Sequence, residues 1–259
     1  MTDTVSLGFR RRKARRLLVV FALSAVVLAL CSAALYLGNT KYPPDVIFRV
    51  LLGEEIKGAS FAIRTIRLPR VLIGMLAGMA FGMAGNTFQT MLGNPLASPD
   101  IIGVTAGSSV AAVFCIIFLQ LSKTVISIAA VVTGVAIAAL IYFLSYRGGF
   151  SGPRLILIGI GVQAMFNSVI YFLLIRANQY DVPAAMRWLS GSLNGMQMKD
   201  VPLLLVIVTV FGYILTALSR YLNILELGEQ SAITLGVKTD KVRMLLVISS
   251  VILIAYATA

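Results

Sequence analysis

Few residues in this chain could do chemistry. Four amides sit inside apolar runs: Asn86 and Gln89, three apart, and Gln163 and Asn167, four apart. Such spacings place each pair on one helix face. An amide both donates and accepts, so each pair either bonds a neighbouring helix or lines a polar path. Three arginines, Arg64, Arg67 and Arg70, stand just before the first pair, with Pro69 between the last two. A guanidinium is a planar fork of donors and suits carboxylates and other oxygen acceptors. The usual catalytic sets are missing. There is no histidine, the commonest metal ligand and general base. Cys31 and Cys115 both lie in apolar runs with no C-x-x-C spacing, so they read as small buried hydrophobes. Hydrolytic and metal chemistry are therefore disfavoured. No metal, no cofactor and no enzymatic activity are expected.

Two nucleotide signatures also fail. No G-x-x-x-x-G-K-[ST] loop occurs, so ATP is not bound here through such a loop. Gly159, Gly161 and Ala164 match the loose dinucleotide fingerprint, but they sit within an apolar run. That fingerprint has meaning only where a strand turns into a helix within a βαβ unit.

The elements that must hold these residues are membrane helices. Of 259 residues, 59% are hydrophobic and 12% charged, and the mean hydropathy is +0.93. Soluble domains carry about a quarter charged residues. The composition predicts an all-α polytopic integral membrane protein, because backbone groups in hydrocarbon must be paired within their own helix. Seven apolar runs cover residues 17–37, 71–92, 101–121, 125–146, 155–175, 201–218 and 244–259. The first is too long for a signal-peptide core and long enough to span roughly 30 Å of hydrocarbon. No Asp, Glu, Lys or Arg lies well inside a run, which argues against an ion-coupled transporter.

Within the second run, Gly74, Gly78 and Gly82 recur every four residues, with Gly85 beyond. This row predicts close helix approach. The uncharged turn from Gly93 to Pro99 holds Asn94, Pro95, Leu96 and Ala97 and joins runs two and three as a helical hairpin. Between runs one and two, Asp45 is expected to cap a short amphipathic helix to about Leu52, with Gly53 as its stop. That helix is expected at the outer surface.

The net charge is +12 and the pI about 10.1. Basic residues meet lipid headgroups and set topology. No basic patch with interleaved aromatics is present, so nucleic acid is not a partner. Residues 10–16, RRRKARR, place residues 1–16 on the cytoplasmic side as a basic tail. From that start, twelve of the 22 Lys and Arg fall inside and ten outside. The basic stretch before run two falls outside, against the positive-inside trend. A docking partner would account for it.

Three blocks then carry a resemblance. The first is R-x-L-P-R at Arg67 to Arg70, followed by Ala84, Gly85 and Gln89, then N-P-L-A-x-P-x-x-x-G from Asn94 through Pro99 to Gly103, and Gly107. The second is R-W-L-S-G-S-L at 187–193. The third is Leu227-Gly228-Glu229 with Ala232 and Leu235-Gly236-Val237. In this order they resemble the FecCD-type permeases, the membrane subunits of type II ABC importers for ferric siderophores, haem and cobalamin. The resemblance implies a permease domain over residues 17–259 in a bacterial cytoplasmic membrane. Its partners would be separate ABC ATPase subunits, a periplasmic or lipid-anchored substrate-binding protein, a second permease copy or similar permease, and membrane lipid.

On the same basis Arg67 and Arg70 match arginines that meet acidic residues of the binding protein. Residues 219–243 match the cytoplasmic ATPase-coupling loop, with Glu226, Leu227, Gly228, Glu229, Leu235, Gly236 and Val237 at its centre. Asn94, Pro95, Leu96, Ala97 and Pro99 become a cytoplasmic turn. Asn86, Gln89, Gln163 and Asn167 become candidates to line the path. A ferric siderophore is the expected cargo, with haem or cobalamin as the alternative. The family pattern has ten spans and this sequence holds seven. Seven spans alone are not expected to form a working pore, since small-residue faces would be left to lipid.

Overall fold

Every backbone group in hydrocarbon needs an internal partner, and the chain meets that demand with helices. The computed structural model describes residues 2–98, 103–146, 149–226 and 228–259, with side chains from residue 11 onward except that of Glu229. In order the helices are α1 (Thr2–Tyr36), α2 (Pro44–Leu51), α3 (Leu68–Leu92), α4 (Val104–Phe114), α5 (Lys123–Ser145), α6 (Gly152–Arg176), α7 (Val182–Ser190), α8 (Val201–Leu225), α9 (Glu229–Thr234) and α10 (Thr239–Thr258). A π-helical segment, Phe61–Arg67, leads into α3, and another, Cys115–Leu119, follows α4. Among the described residues there is no strand.

Among the described residues, six helices are long and apolar enough to cross a membrane: α1, the Phe61–Leu92 stretch containing α3, α5, α6, α8 and α10. The third apolar run departs from a full span. Its helical stretch Val104–Leu119 reaches about 24 Å, short of the roughly 30 Å hydrocarbon core. Pro99 to Ile102, at its expected start, lie outside the described residues. A short helix is tolerated here because α4 is interior: Val104, Gly107, Ser108, Ala112 and Val113 are all buried. The sixth and seventh runs are longer than expected. Helix α8 continues to Leu225 because Leu222 and Leu225 keep its buried stripe going, and α10 starts at Thr239. The connection between α8 and α10 therefore shrinks to residues 226–238.

The chain divides into two compact units, residues 1–72 with 195–198, and residues 73–194 with 199–259. In the first, Ile47, Val50, Ala59 and Ile63 form a small core flanked by Leu35, Tyr42, Val46 and Ile56. Helix α2 forms where expected and Gly53 follows its end, but Asp45 is not its cap. Pro43 holds the cap position and Pro44 the first turn, since a proline there loses no helical hydrogen bond. Asp45 instead sits in that turn, favourable to the positive end of the helix dipole. Helix α1 is exposed along its apolar length, with Leu18 and Phe21 among the most open side chains. Hydrocarbon is the solvent that suits such a surface.

In the second unit α4 packs most closely on α5, and α10 lies against α8, α5 and α4. The α4–α5 seam uses small residues. The Ser108 hydroxyl donates to the Ala130 carbonyl at 2.8 Å. Gly134 lies so close to Ser108 that an added Cβ would collide with its Oγ and press on Val104. The glycine row of α3 behaves otherwise. A Cβ added at Gly74 would press on the Leu193 side chain, but at Gly78, Gly82 or Gly85 it would meet nothing within 4 Å, so within this chain the expected close approach is made at Gly74 and not further along the row. What packs on α3 is the opposite stripe, Ile73, Leu76, Ala80, Ala84, Phe88 and Met91.

This geometry makes a stability prediction. Gly134→Ala forces Ser108 to rotate and give up the Ala130 carbonyl, so it should destabilise by about 1–3 kcal/mol. Thermal unfolding in detergent should show a lower Tm. Adding Ser108→Ala should recover most of the loss, because both the collision and the unpaired hydroxyl are gone.

Candidate functional site

The arginines before α3 are set by helix ends. The last carbonyls of an α-helix have no partner in their own helix. Arg67 Nη1 receives two of them from α1, donating to the Leu35 oxygen at 2.7 Å and to that of Tyr36 at 3.2 Å. Its Nη2 donates to the Thr40 carbonyl, and the guanidinium lies 5.5 Å from the Tyr42 ring centroid. Arg64 does the same for α2, its Nε donating to the Val50 carbonyl at 2.9 Å. A cation at a helix C-terminus also favours the helix dipole. Arg70, one turn further, is half-buried. The two residues expected to meet a docking protein are thus partly engaged inside the unit, and Arg67 heavily so. Beside them Arg49 and Glu54 form an exposed ion pair. The hydrogen bond from Arg49 holds the Glu54 carboxyl below the usual range, though an exposed pair adds little stability.

The four amides are not brought together. Asn86 and Gln89 lie on the exposed face of α3, in line with Gly78 and Gly82. On α6, Asn167 is exposed and Gln163 half-buried. No side-chain hydrogen bond joins any of the four to another group among the described residues. Neither pair serves as interhelical glue within this chain.

The hairpin turn is built from backbone chemistry. Gly93 takes a left-handed conformation (φ +62°) at the end of α3. Its N–H donates to the Thr90 carbonyl at 3.2 Å and the next N–H, of Asn94, to Gln89 at 3.0 Å. This paired closure satisfies two orphan carbonyls and needs a residue at ease with positive φ. Asn94 then opens the turn. Its carbonyl accepts from Ala97 N–H at 3.0 Å and its side-chain oxygen from Leu96 N–H at 2.9 Å. Pro95 can sit in this turn because its missing N–H is not required. Ala97 is buried and Leu96 is 85% exposed, an unusual state for a leucine at a turn tip. Pro99 lies outside the described residues.

The connection between α8 and α10 repeats the closure. Glu226 follows α8, Leu227 lies outside the described residues, and Gly228 precedes α9. Gly236, at φ +78°, ends α9. Its N–H donates to Ile233 at 2.9 Å, and Val237 N–H to Ala232 at 3.0 Å. Ala232 is fully buried, while Ile233 and Leu235 are more than half exposed. The helical part of this connection is a single short helix that presents apolar side chains outward.

Sequence reasoning missed one cluster. The Tyr146 hydroxyl donates to Asp240 Oδ2 at 3.0 Å, which pushes the Tyr146 phenol above its usual range. The buried Arg243 guanidinium lies 4.8 Å from the Phe150 ring centroid. Arg154 Nη1 donates to the Ser145 carbonyl at the end of α5, at 3.1 Å. In sequence these read as ordinary loop-edge charges and aromatics; only the meeting of α5, α6 and α10 makes them a group.

With this geometry in place, comparison with known proteins decides the family. The description of the FecCD transport family matches residues 12–259. The chain belongs to the FecCD transport family. Over 213 residues it is 33% identical to the ferric enterobactin transport system permease protein of Escherichia coli, covering 82% of this chain and 64% of that protein. It is 34% identical over 196 residues to a cobalamin import system permease protein of Halobacterium salinarum, covering 75% and 53%. The fold matches a solved inward-facing metal-chelate type ABC transporter with TM-score 0.80 and 26% identity, over 92% of this chain and 74% of that one. The chain thus spans roughly half to two thirds of the length of the two curated relatives.

The capping role of Arg67 separates charge from geometry. Arg67→Lys keeps the charge but cannot fork across the α1 carbonyls. It should destabilise by about 1–3 kcal/mol. Limited proteolysis of residues 38–43 in detergent should be faster than in the unmodified protein.

Proposed function

We propose that this FecCD-family chain is a transmembrane permease subunit of an ABC importer that carries a ferric siderophore across the bacterial cytoplasmic membrane. The match along residues 12–259 carries this reading. Transport proceeds by alternating access, with ATP hydrolysed in separate partner subunits. The chain is itself no enzyme and needs no cofactor. Its N-terminus is cytoplasmic, from the basic run at 10–16. A substrate-binding protein docks outside through Arg67 and Arg70. Such charge complementarity supplies register and on-rate more than raw affinity. Inside, the connection from Glu226 to Val237, with Leu227, Gly228, Glu229, Leu235 and Gly236, meets the ATPase. The exposed Ile233 and Leu235 and the tip Leu96 suit burial against such a partner. The turn through Asn94, Pro95, Ala97 and Pro99 lies on the same cytoplasmic side. A second permease copy, or a similar permease, completes the pore.

Asn86 and Gln89, and Gln163 with Asn167, line the path. In support, three of the four are exposed and none is bonded to a neighbour among the described residues. A ferric siderophore is preferred to cobalamin because the enterobactin permease matches more of the chain than the cobalamin permease does, 82% against 75%.

Two measurements test this. Cells lacking the gene should lose uptake of one labelled ferric siderophore and regain it with the intact gene. Loss of haem or cobalamin uptake instead would move the cargo, and no change in any of the three would overturn the importer reading. Separately, Asn86→Ala and Gln89→Ala should change unfolding stability by no more than about 0.5 kcal/mol, as for exposed unbonded side chains. Uptake should nonetheless fall. A large loss of stability would show that these amides pack rather than line a path.

A further inference from the structure

The group at the inner end of α5 and α10 has no part in the reading above. Asp240 and Arg243, three apart in the first turns of α10, share one helix face. Asp240 accepts from Tyr146, just past the end of α5, and Arg243 covers Phe150, just before α6. Phe150 is itself buried, and its ring lies 6.1 Å from that of Tyr142 on α5. Tyr142 and Tyr146 stack at 6.4 Å. The Arg154 bond to the Ser145 carbonyl ties the start of α6 to the end of α5. Burying a charged group is costly unless it is compensated, and Arg243 is buried. A buried arginine over an aromatic face is also a directional contact that an aliphatic pair would not supply. The short connection carrying α9 runs straight into this face of α10, with only residues 235–238 between them.

We propose that Asp240 and Arg243 form a latch that fixes the α9 connection to the inner ends of α5 and α6. Displacement of α9 is thereby passed to α5 rather than absorbed in the connection. This rests on the reading of α9 as the segment that meets the ATPase. Asp240, Arg243, Tyr146 and Phe150 are positioning residues: they touch neither cargo nor nucleotide. Coupling of this kind needs an element with two arrangements whose balance both ends bias. The latch makes α5, α6 and α10 one such element at their inner ends.

The test uses the complete transporter in vesicles, with its ATPase subunits and binding protein, supplied with radiolabelled ferric hydroxamate and ferric catecholate chelates. The readout is chelate moved per ATP hydrolysed, which a merely structural role would not change in the molecules that fold. Phe150→Leu keeps apolar volume and removes the aromatic face. It should lower the ratio roughly threefold or more, the size expected for altered coupling between sites, with ATP hydrolysis continuing. Phe150→Trp should restore the ratio. Tyr146→Phe should lower it in the same direction. Uptake by the unmodified transporter with an unchanged ratio in Phe150→Leu overturns the latch and leaves the importer reading standing. No uptake by the unmodified transporter with any chelate overturns the importer reading, and the latch falls with it.

Discussion

A helix in hydrocarbon satisfies its own backbone except at its ends, where the last carbonyls are left over. Much of this structure answers that deficit. Arg67 serves the end of α1, Arg64 the end of α2 and Arg154 the end of α5. Where no arginine is at hand, the chain reverses through glycine, at Gly93 after α3 and Gly236 after α9. Each device also sets where the next element begins. Arg64 and Arg67 therefore cannot be read as free surface charge. Any carboxylate approaching Arg67 would have to compete with three backbone carbonyls.

Small residues are used in two opposite ways. At Gly134, Gly107 and Ser108 they let α4 and α5 close on each other, and the Ser108 hydroxyl brought inside finds the Ala130 carbonyl. Without a hydrophobic drive in lipid, this kind of close contact is what associates helices. Along α3 the same residue type leaves space. Gly78, Gly82 and Gly85 stand in a row with Asn86 and Gln89 on an open face. That face is open, lined by small residues and edged with amides.

The connections at 93–98 and 226–238 carry a different signature. Leu96, Ile233 and Leu235 are apolar, exposed and held on tight turns or a short helix. Water alone gives no reason for this, whereas a protein surface does. Behind the second connection, Asp240 and Arg243 hold α10 to α5 and to the residues before α6. The exposed contact and the buried anchor are thus a few residues apart.

The sequence by itself determined that this is an all-helical membrane protein, because hydrocarbon admits few backbone solutions and apolar run length reports them directly. It also determined the hairpin turn, since Gly93, Asn94 and Pro95 each have a narrow set of conformations. The FecCD motifs were legible for the same reason: they are local strings. What only the tertiary structure decided are matters of who faces whom. Helical periodicity put Gly78 and Gly82 on one face but could not say that the face is open. It placed Arg67 beside a span but not its guanidinium beneath the end of α1, a partner about 30 residues away. It read Arg243 as a loop charge, because burial of one residue before an apolar run depends on Phe150 arriving from the connection between α5 and α6. Local preference is written along the chain; partnership across helices is set by packing, to which each residue contributes only part.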